Sequence, residues 1–503
     1  MTSTSGAQLR RFLTNSCMTI LTAAAVPTAS AQQRADTLAQ FPDRSIAGLI
    51  ATLPGRMIAL DDIVRVGLQE NLELRLATVR RRIADANAYA EARSIDPVLR
   101  LGTGVQSSSL SRFAGTTTAA ASTFGALPWG TEYAADFSRG SQSSTLGVFT
   151  PAQSVFSFSL AQPLLDGFNQ RTVEWRALRR ESAAAGHELQ RARERVVTEL
   201  ELLYWTVAEA QATEAVYQRS LTLSETLLSR NIELAARDLV AEVDVLTTRS
   251  GVALRRAIAV QARQARRDAS DRLIIAAYGN RAALELSADS IPVKANEPAT
   301  APPLQAGFDA AVNAALERRR DVAAAEAAVD ASRARNARAS NAIRPSFALE
   351  TGVLSYREGN GSFGSGIAGD RSTTWRLGFS LSQPALNRSD RGLAMAAAAQ
   401  LDGSDIQWRL ARNEVLQEVR TALRGVQAGA ERLTAAEEAA TLAWDQLVAE
   451  RRRLELGLGD SFRLLQTEEN AVQAQLEAVR AKYELARAEA RYRFATGATS
   501  IGN

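Results

Sequence analysis

Cysteine, histidine and lysine are almost absent from this 503-residue chain, which has Cys17, His187, and only Lys294 and Lys482. No Cys/His zinc cluster can be assembled from that set, and neither can a Cys/His or Ser/His/Asp catalytic arrangement with partners to spare. His187 falls inside a helical run, where a structural role is the ordinary one. Carboxylate chemistry stays formally open, yet no spacing singles out a pair, and no cofactor signature is present. Proline is scarce at 13 residues and aromatics make up 6%, as expected of long helices. No stretch of about 18 apolar residues occurs after the first thirty, so no transmembrane helix is expected. An excess of one charge is also missing: 59 Lys and Arg face 55 Asp and Glu. The two signs interleave, as from Arg191 to Glu201, which marks solvated helix faces and argues against a nucleic-acid footprint.

What is present begins with an address. Arg10 and Arg11 precede a modest apolar stretch, Phe12 to Val26, and Ala29-Ser30-Ala31 supplies small residues for cleavage. Residues 1–31 therefore read as a signal peptide, and cleavage there would leave a thiol-free chain suited to an oxidising compartment. A twin-arginine signal and a lipoprotein signal ending at Cys17 fit less well. The exported fates are a soluble periplasmic protein or an outer-membrane protein spanning as strands.

The chain is written twice. Ile95-Asp96-Pro97-Val98 recurs as Ile343-Arg344-Pro345-Ser346, and Phe158-Ser159-Leu160-Ala161-Gln162-Pro163 as Phe379-Ser380-Leu381-Ser382-Gln383-Pro384. Repeats at 58–289 and 304–497 are joined by a proline-rich linker, 290–303. Segments 32–57 and 498–503 flank them. Each repeat predicts a helix (Leu60 to Ser94; Leu304 to Ala342) stopping before an x-Pro step. An extended hairpin follows, then a proline-free rod (Arg171 to Ala236; Arg391 to Glu455), a break and a last helix. Sevenfold spacing places Val419, Val426, Leu433, Ala440, Leu447 and Leu454 on one seam. Their counterparts are Leu200, Val207, Glu214, Leu221, Leu228 and Ala235, with Glu214 alone breaking the pattern. Leu189, Val196, Leu203, Ala210 and Tyr217 form a second seam, so a rod can contact neighbours on two sides. A single long hairpin burying its own stripe also fits that spacing.

Four strands are expected, at Leu99 to Val105, Phe156 to Leu160, Phe347 to Val353 and Trp375 to Leu381, each alternating apolar and polar residues. Leu99, Leu101, Phe156, Phe158, Phe347, Leu349, Trp375, Leu377 and Phe379 are the candidate lipid-facing side chains. The connections Ser108 to Ser154 and Arg357 to Thr374, rich in Gly, Ser and Thr, read as loops; Trp129 to Phe137 also alternates but finds no place. Four strands cannot close a membrane barrel, which needs about eight. Several copies must then complete it.

This duplicated plan, the Gln162-Pro163-Leu164-Leu165-Asp166-Gly167 turn, its counterpart from Gln383, and the break Leu456-Gly457-Leu458-Gly459-Asp460-Ser461 together resemble the TolC family of outer-membrane efflux and secretion channels. The resemblance covers about Leu60 to Gly497. It implies a mainly α fold with membrane β-strands, in which a homotrimer forms an α-helical barrel joined to a shared 12-stranded β-barrel. It implies a Gram-negative outer-membrane location, a periplasmic adaptor and an inner-membrane pump (proton- or ATP-driven) as partners, and no enzymatic step. The expected function is the exit duct of a tripartite efflux system for small molecules. The outer-membrane channel of type I protein secretion is the alternative, and a soluble periplasmic coiled-coil scaffold the distant one.

The family closes its periplasmic end where long and last helices meet. Matched on Gly457 and Leu465, the two positions that are aspartates in the best-known member of the family fall on Arg463 and Gln466, a departure that argues against a carboxylate ring. Arg463 and Gln466, with Asp460, Asp244 and Glu242, are the candidate gate residues. Gly457, Gly459 and Ser461 are the candidate adaptor groove. Gly359 to Gly364 matches the dinucleotide-binding glycine pattern, but it lies between strands and reads as a loop.

Overall fold

The computed structural model describes residues 58–106, 113–144, 152–238, 240–279, 307–359, 370–456 and 458–499. The expected signal peptide, segment 32–57 and linker 290–303 lie outside them. No described helix is long and apolar enough to cross a membrane.

Each repeat opens with a broken helix where one continuous helix was expected. In the first, α1 (Leu60–Glu70) and α2 (Leu72–Glu91) are separated at Asn71. Asn71 leaves the helical region (φ −61°, ψ 130°), and its side chain accepts from the amides of Glu73 and Leu74, capping α2. In the second, α5 (Phe308–Arg318) and α6 (Arg320–Ala342) break at Arg319 with nearly the same dihedrals (φ −67°, ψ 127°). The rods are α3 (Val173–Ala235) and α7 (Arg388–Glu455), and the last helices are α4 (Glu242–Tyr278) and α8 (Ser461–Ala495). At ~1.5 Å per residue the rods run on the order of 100 Å.

Two cores correspond between the repeats. In the first, Ile63, Leu200, Tyr204 and Leu273 are fully buried where α1, α3 and α4 meet. Gly67 lets the helices close here: a Cβ on it would fall 2.2 Å from Leu200 Cδ1, so a larger residue would force that buried side chain to move. In the second, Val415 and Val419 of α7 pack with Ala311, Val312 and Ala315 of α5 and with Tyr492 and Ala495 of α8. The seams are visible in burial: Leu189, Val196, Leu200, Val207, Val419, Val426 and Leu447 are all buried. Glu214, the exception in its seam, is buried against Arg263 (3.4 Å) and Arg266 (3.1 Å) of α4. The break in the hydrophobic spacing is an ion-paired position.

The sheet corrects the strand count. Six strands, β1 (Val98–Gln106), β2 (Phe113–Ala126), β3 (Glu132–Ser144), β4 (Ala152–Pro163), β5 (Ser346–Gly359) and β6 (Asp370–Ser382), form one antiparallel meander in sequence order. The expected loop from Ser108 to Ser154 contains β2, β3 and part of β4. The four strands per chain from which the twelve-stranded barrel was counted are thus corrected to six. The cause lies in side-chain size: β2 reads Thr-Thr-Thr-Ala-Ala-Ala-Ser-Thr from Thr116, small on both faces, so no apolar alternation announces it.

The extra hairpin turns at Leu127 to Thr131 and docks on the turn after β4. Asn169 N donates to Trp129 O (2.9 Å), Thr131 Oγ1 donates to Gln162 Oε1, and Gly130 (φ 101°) sits so close to Gly167 that a Cβ would fall 2.6 Å from its carbonyl oxygen. Trp129 thus belongs to the turn, and Glu132 to Phe137 to β3.

Candidate functional site

The breaks after the two rods meet at one end of the molecule. Asn231 near the end of α3 donates to Thr248 Oγ1 on α4 (2.9 Å) and to Ser461 Oγ at the start of α8 (3.3 Å). All three side chains are buried, so this network ties both turns into one tip. Asp460 caps α8 through its Oδ1, which accepts from Arg463 N (2.7 Å).

The candidate gate residues divide by environment. Arg463 is exposed, and its Nε lies 3.5 Å from Glu450 Oε1 on α7. Arg453 approaches the other oxygen of Glu450 at 3.5 Å. Glu450 is buried and is the carboxylate that sequence reasoning missed; it sits 13 residues before Arg463, on the other side of the break. Asp460 is occupied as a helix cap. Gln466 and Glu242 are exposed, and Asp244 is half-buried with its carbonyl accepting from Thr248 Oγ1 (2.7 Å).

Of the candidate groove, Gly457 lies outside the described residues. Gly459 presses on the end of α7, where a Cβ would sit 3.1 Å from Leu454 N. Ser461 is engaged with Asn231. Beside the exposed Glu242, Arg463 and Gln466, this end shows five large apolar side chains: Val243, Leu246, Leu456, Leu458 and Phe462 are each more than half exposed.

Farther along the rods stand two buried charge clusters. Glu468 of α8 accepts from Ser220 Oγ (3.0 Å) and Ser224 Oγ (3.3 Å) of α3, with Arg255 of α4 at 3.6 Å. Burial raises the Glu468 carboxyl above its ordinary value, while Arg255 and the two serines oppose the shift. At the repeat junction, Arg191 of α3 donates to Glu194 (2.9 Å) and to Phe494 O (3.0 Å), with its guanidinium 3.6 Å from the Phe494 ring centre. Arg319, at the helix break, pairs with Asp321 and Glu418. Burial would raise Asp321, but the hydrogen bond and charge of Arg319, with Arg191, hold it below the ordinary carboxylate range.

The candidate lipid-facing residues share one face of the sheet. The pairing Leu99↔Thr123↔Ala135↔Phe158↔Val353↔Trp375 is one transverse row. The next is Leu101↔Ala121↔Phe137↔Phe156↔Ser355↔Thr373, and Leu349↔Phe379 and Thr351↔Leu377 stand on the same side. Phe347 and Phe379 stack with ring centres 5.7 Å apart. The opposite face carries Arg100, Asp136, Ser157, Glu350 and Arg376. Among the described residues no group of three or more His, Cys, Asp or Glu is placed to hold a metal ion.

The paired helical rods joined to one antiparallel sheet are a fold shared with solved outer-membrane channels. Residues 311–498 match the model of the family described as outer membrane efflux protein. Among solved structures, the outer-membrane channel OprN is 22% identical, with a TM-score of 0.65 over 88% of this chain and 90% of its own. The Campylobacter jejuni CmeC outer membrane channel is 15% identical, with a TM-score of 0.65 over 88% and 86%. The open-state Neisseria gonorrhoeae MtrE outer membrane channel is 17% identical, with a TM-score of 0.63 over 87% and 88%. No curated relative matches. Over residues 311–498 the chain is similar to the outer membrane efflux protein family, and its fold is that of the solved outer-membrane channels.

Proposed function

We propose that three copies of this chain assemble into the exit duct of a tripartite efflux system, passing small molecules from an inner-membrane pump and periplasmic adaptor to the exterior. The observation that carries this reading is the open sheet. β1 and β6 are its edges among the described strands, and one face is apolar. Edges left unpaired in hydrocarbon cost several kcal/mol per unsatisfied group, so the strands must pair with those of other copies. Six strands from each of three copies give a barrel of eighteen (3 × 6), in the range where barrels enclose an aqueous channel. The polar face, with Arg100, Asp136, Glu350 and Arg376, lines that lumen. The repeats 58–289 and 304–497 supply equivalent sectors of the helical tunnel.

At the periplasmic tip, the Arg463–Glu450 pair, with Asp460, Asp244, Glu242 and Gln466 around it, forms a polar constriction. The apolar Val243, Leu246, Leu458 and Phe462 beside Gly457, Gly459 and Ser461 receive the adaptor's helical tips. Purified protein reconstituted in a planar bilayer tests the duct: stable unitary conductance is expected, and a silent bilayer would overturn it. Arg463→Ala is expected to change conductance or ion selectivity, and identical traces would remove Arg463 from the gate.

A further inference from the structure

The two repeats differ most in what stands between the first helices and the rod. Pro163 lies 66 residues after Pro97, whereas Pro384 lies 39 residues after Pro345. In the second repeat those residues make one hairpin, with β5 paired directly to β6. In the first, β1 and β4 are the counterparts of β5 and β6, and the hairpin β2–β3 is inserted between them.

Below the sheet the two repeats are closed alike. Arg171, just ahead of α3, donates through Nε to Ser94 O, just past α2 (2.8 Å). Asn387, just ahead of α7, donates through Nδ2 to Ile343 O, just past α6 (3.1 Å). The helices thus draw the feet of β1 and β4 together as they do those of β5 and β6. In the sheet, however, two strands separate β1 from β4, which at ~4.8 Å per step puts them about 14 Å apart. At this end the inserted strands are joined by the Leu127–Thr131 turn and not by a helix. That turn hangs on the foot of β4 through Asn169 and Gln162, and Glu132 at the base of β3 lies 3.7 Å from Arg171.

The insert runs the full height of its neighbours. β2 pairs with β1 from Val98 to Gln106, and β3 pairs with β4 from Gln153 to Ala161. It therefore broadens the sheet over its depth instead of adding a loop above it. It also preserves the two faces. Leu99 and Phe158 stand in one row, as do Leu101 and Phe156, with two hairpin residues between the members of each pair. Because β1 and β4 run in opposite directions, they can pair directly without turning any side chain over.

Width follows from strand number. Three copies of four strands close a barrel about 26 Å across between backbones, and three of six about 39 Å, at ~4.8 Å spacing and ~45° tilt. The side chains that the hairpin presents to the polar face are mostly small, Thr118, Ala120, Ser122, Ser138 and Gly140 among them, so they do not refill the added width.

We infer that β2–β3 is a widening insert that sets the bore of the exit. The sheet end then passes cargo too bulky for a barrel of twelve strands, and size selection falls to the helical tip. This rests on the reading that three copies share one barrel.

Polymer exclusion in planar bilayers tests the bore, with graded poly(ethylene glycol)s added on the side of the sheet remote from the helices. The full-length protein is compared with a deletion of residues 113–144, which leaves 107–112 and 145–151 to join β1 to β4. The radius of the largest polymer that enters, read as a drop in conductance, is expected to fall by at least about a third in the deletion. An unchanged cut-off would overturn the inference. A cysteine pair decides the question where the deletion forms no pores. Ser138→Cys, exposed on the polar face of β3, is expected to react with maleimide-tipped polymers up to the wild-type cut-off and to lower the current. Phe137→Cys, on the apolar face, is expected to stay unlabelled. Equal labelling of both, or of neither, would take the hairpin out of the lumen wall. Absence of pores from the wild type defeats the shared channel itself, whereas pores with an unaltered cut-off defeat only the role of the insert.

Discussion

The two rods of this chain have nearly the same length and the same sevenfold seam, yet they live in different surroundings. α3 lies in the middle of the helical layer, packed against α1, α2, α4, α6 and α8. α7 packs mainly against α5, α6 and α8. α3 buries twenty residues along its length, including Leu189, Val196, Leu200, Tyr204 and Val207. α7 leaves Leu393, Met395, Ile406, Leu410, Leu442 and Val448 more than half exposed. Equal patterning with unequal burial shows that an amphipathic stripe specifies how much surface wants covering, and that the described residues leave part of the stripe of α7 uncovered.

The largest expected effect that would sharpen this contrast is at Tyr204. Its ring is fully buried and its hydroxyl donates to Ile58 O (3.1 Å), so Tyr204→Ala should cost about 3–5 kcal/mol of stability. Leu442→Ala on α7 should cost under about 0.5 kcal/mol in the isolated subunit but weaken subunit association. Denaturant melts of detergent-solubilised protein, paired with native mass measurement, read both. Equal destabilisation by the two variants would erase the distinction.

Next comes the Arg255–Glu468 pair that joins α3, α4 and α8. Removing one partner of a buried pair strands the other, so Arg255→Met should cost about 3 kcal/mol, while replacing both by apolar residues should recover much of it. A double variant no better than the single would mean that the serines, not the pair, organise the site.

A smaller effect concerns pH at the repeat junction. Asp321 is held below its ordinary value in the folded chain, so its contribution is fully present above the unfolded carboxylate range and is lost as pH falls through its lowered folded value. Melting temperature should therefore fall more steeply with acidification in the wild type than in Asp321→Asn. Parallel curves would place the acid sensitivity elsewhere. Arg463→Ala should also change stability little: its half-exposed pair with Glu450 should be worth under about 1 kcal/mol, leaving conductance as the informative readout.

Much of the helical layer was legible in the sequence because seams, proline steps and duplication all act locally. The rods stand close to their expected limits, and the nine strand residues expected to face lipid do share a face. The breaks at Asn71 and Arg319 were not legible, since neither residue interrupts the apolar spacing and each break is held by contacts far along the chain: Asn71 Nδ2 donates to Ala276 O, and Arg319 pairs with Glu418. β2 escaped for want of large side chains. Glu450 escaped because its partner Arg463 lies across a helix break, a distance that periodicity does not bridge.

Everything above turns on one subunit being a sector of a larger cylinder. Native mass spectrometry of the protein extracted from outer membranes in detergent tests this most directly. The account predicts a complex of three copies whose dissociation costs the sheet its fold. A folded single copy, monodisperse in buffer without detergent, would contradict it.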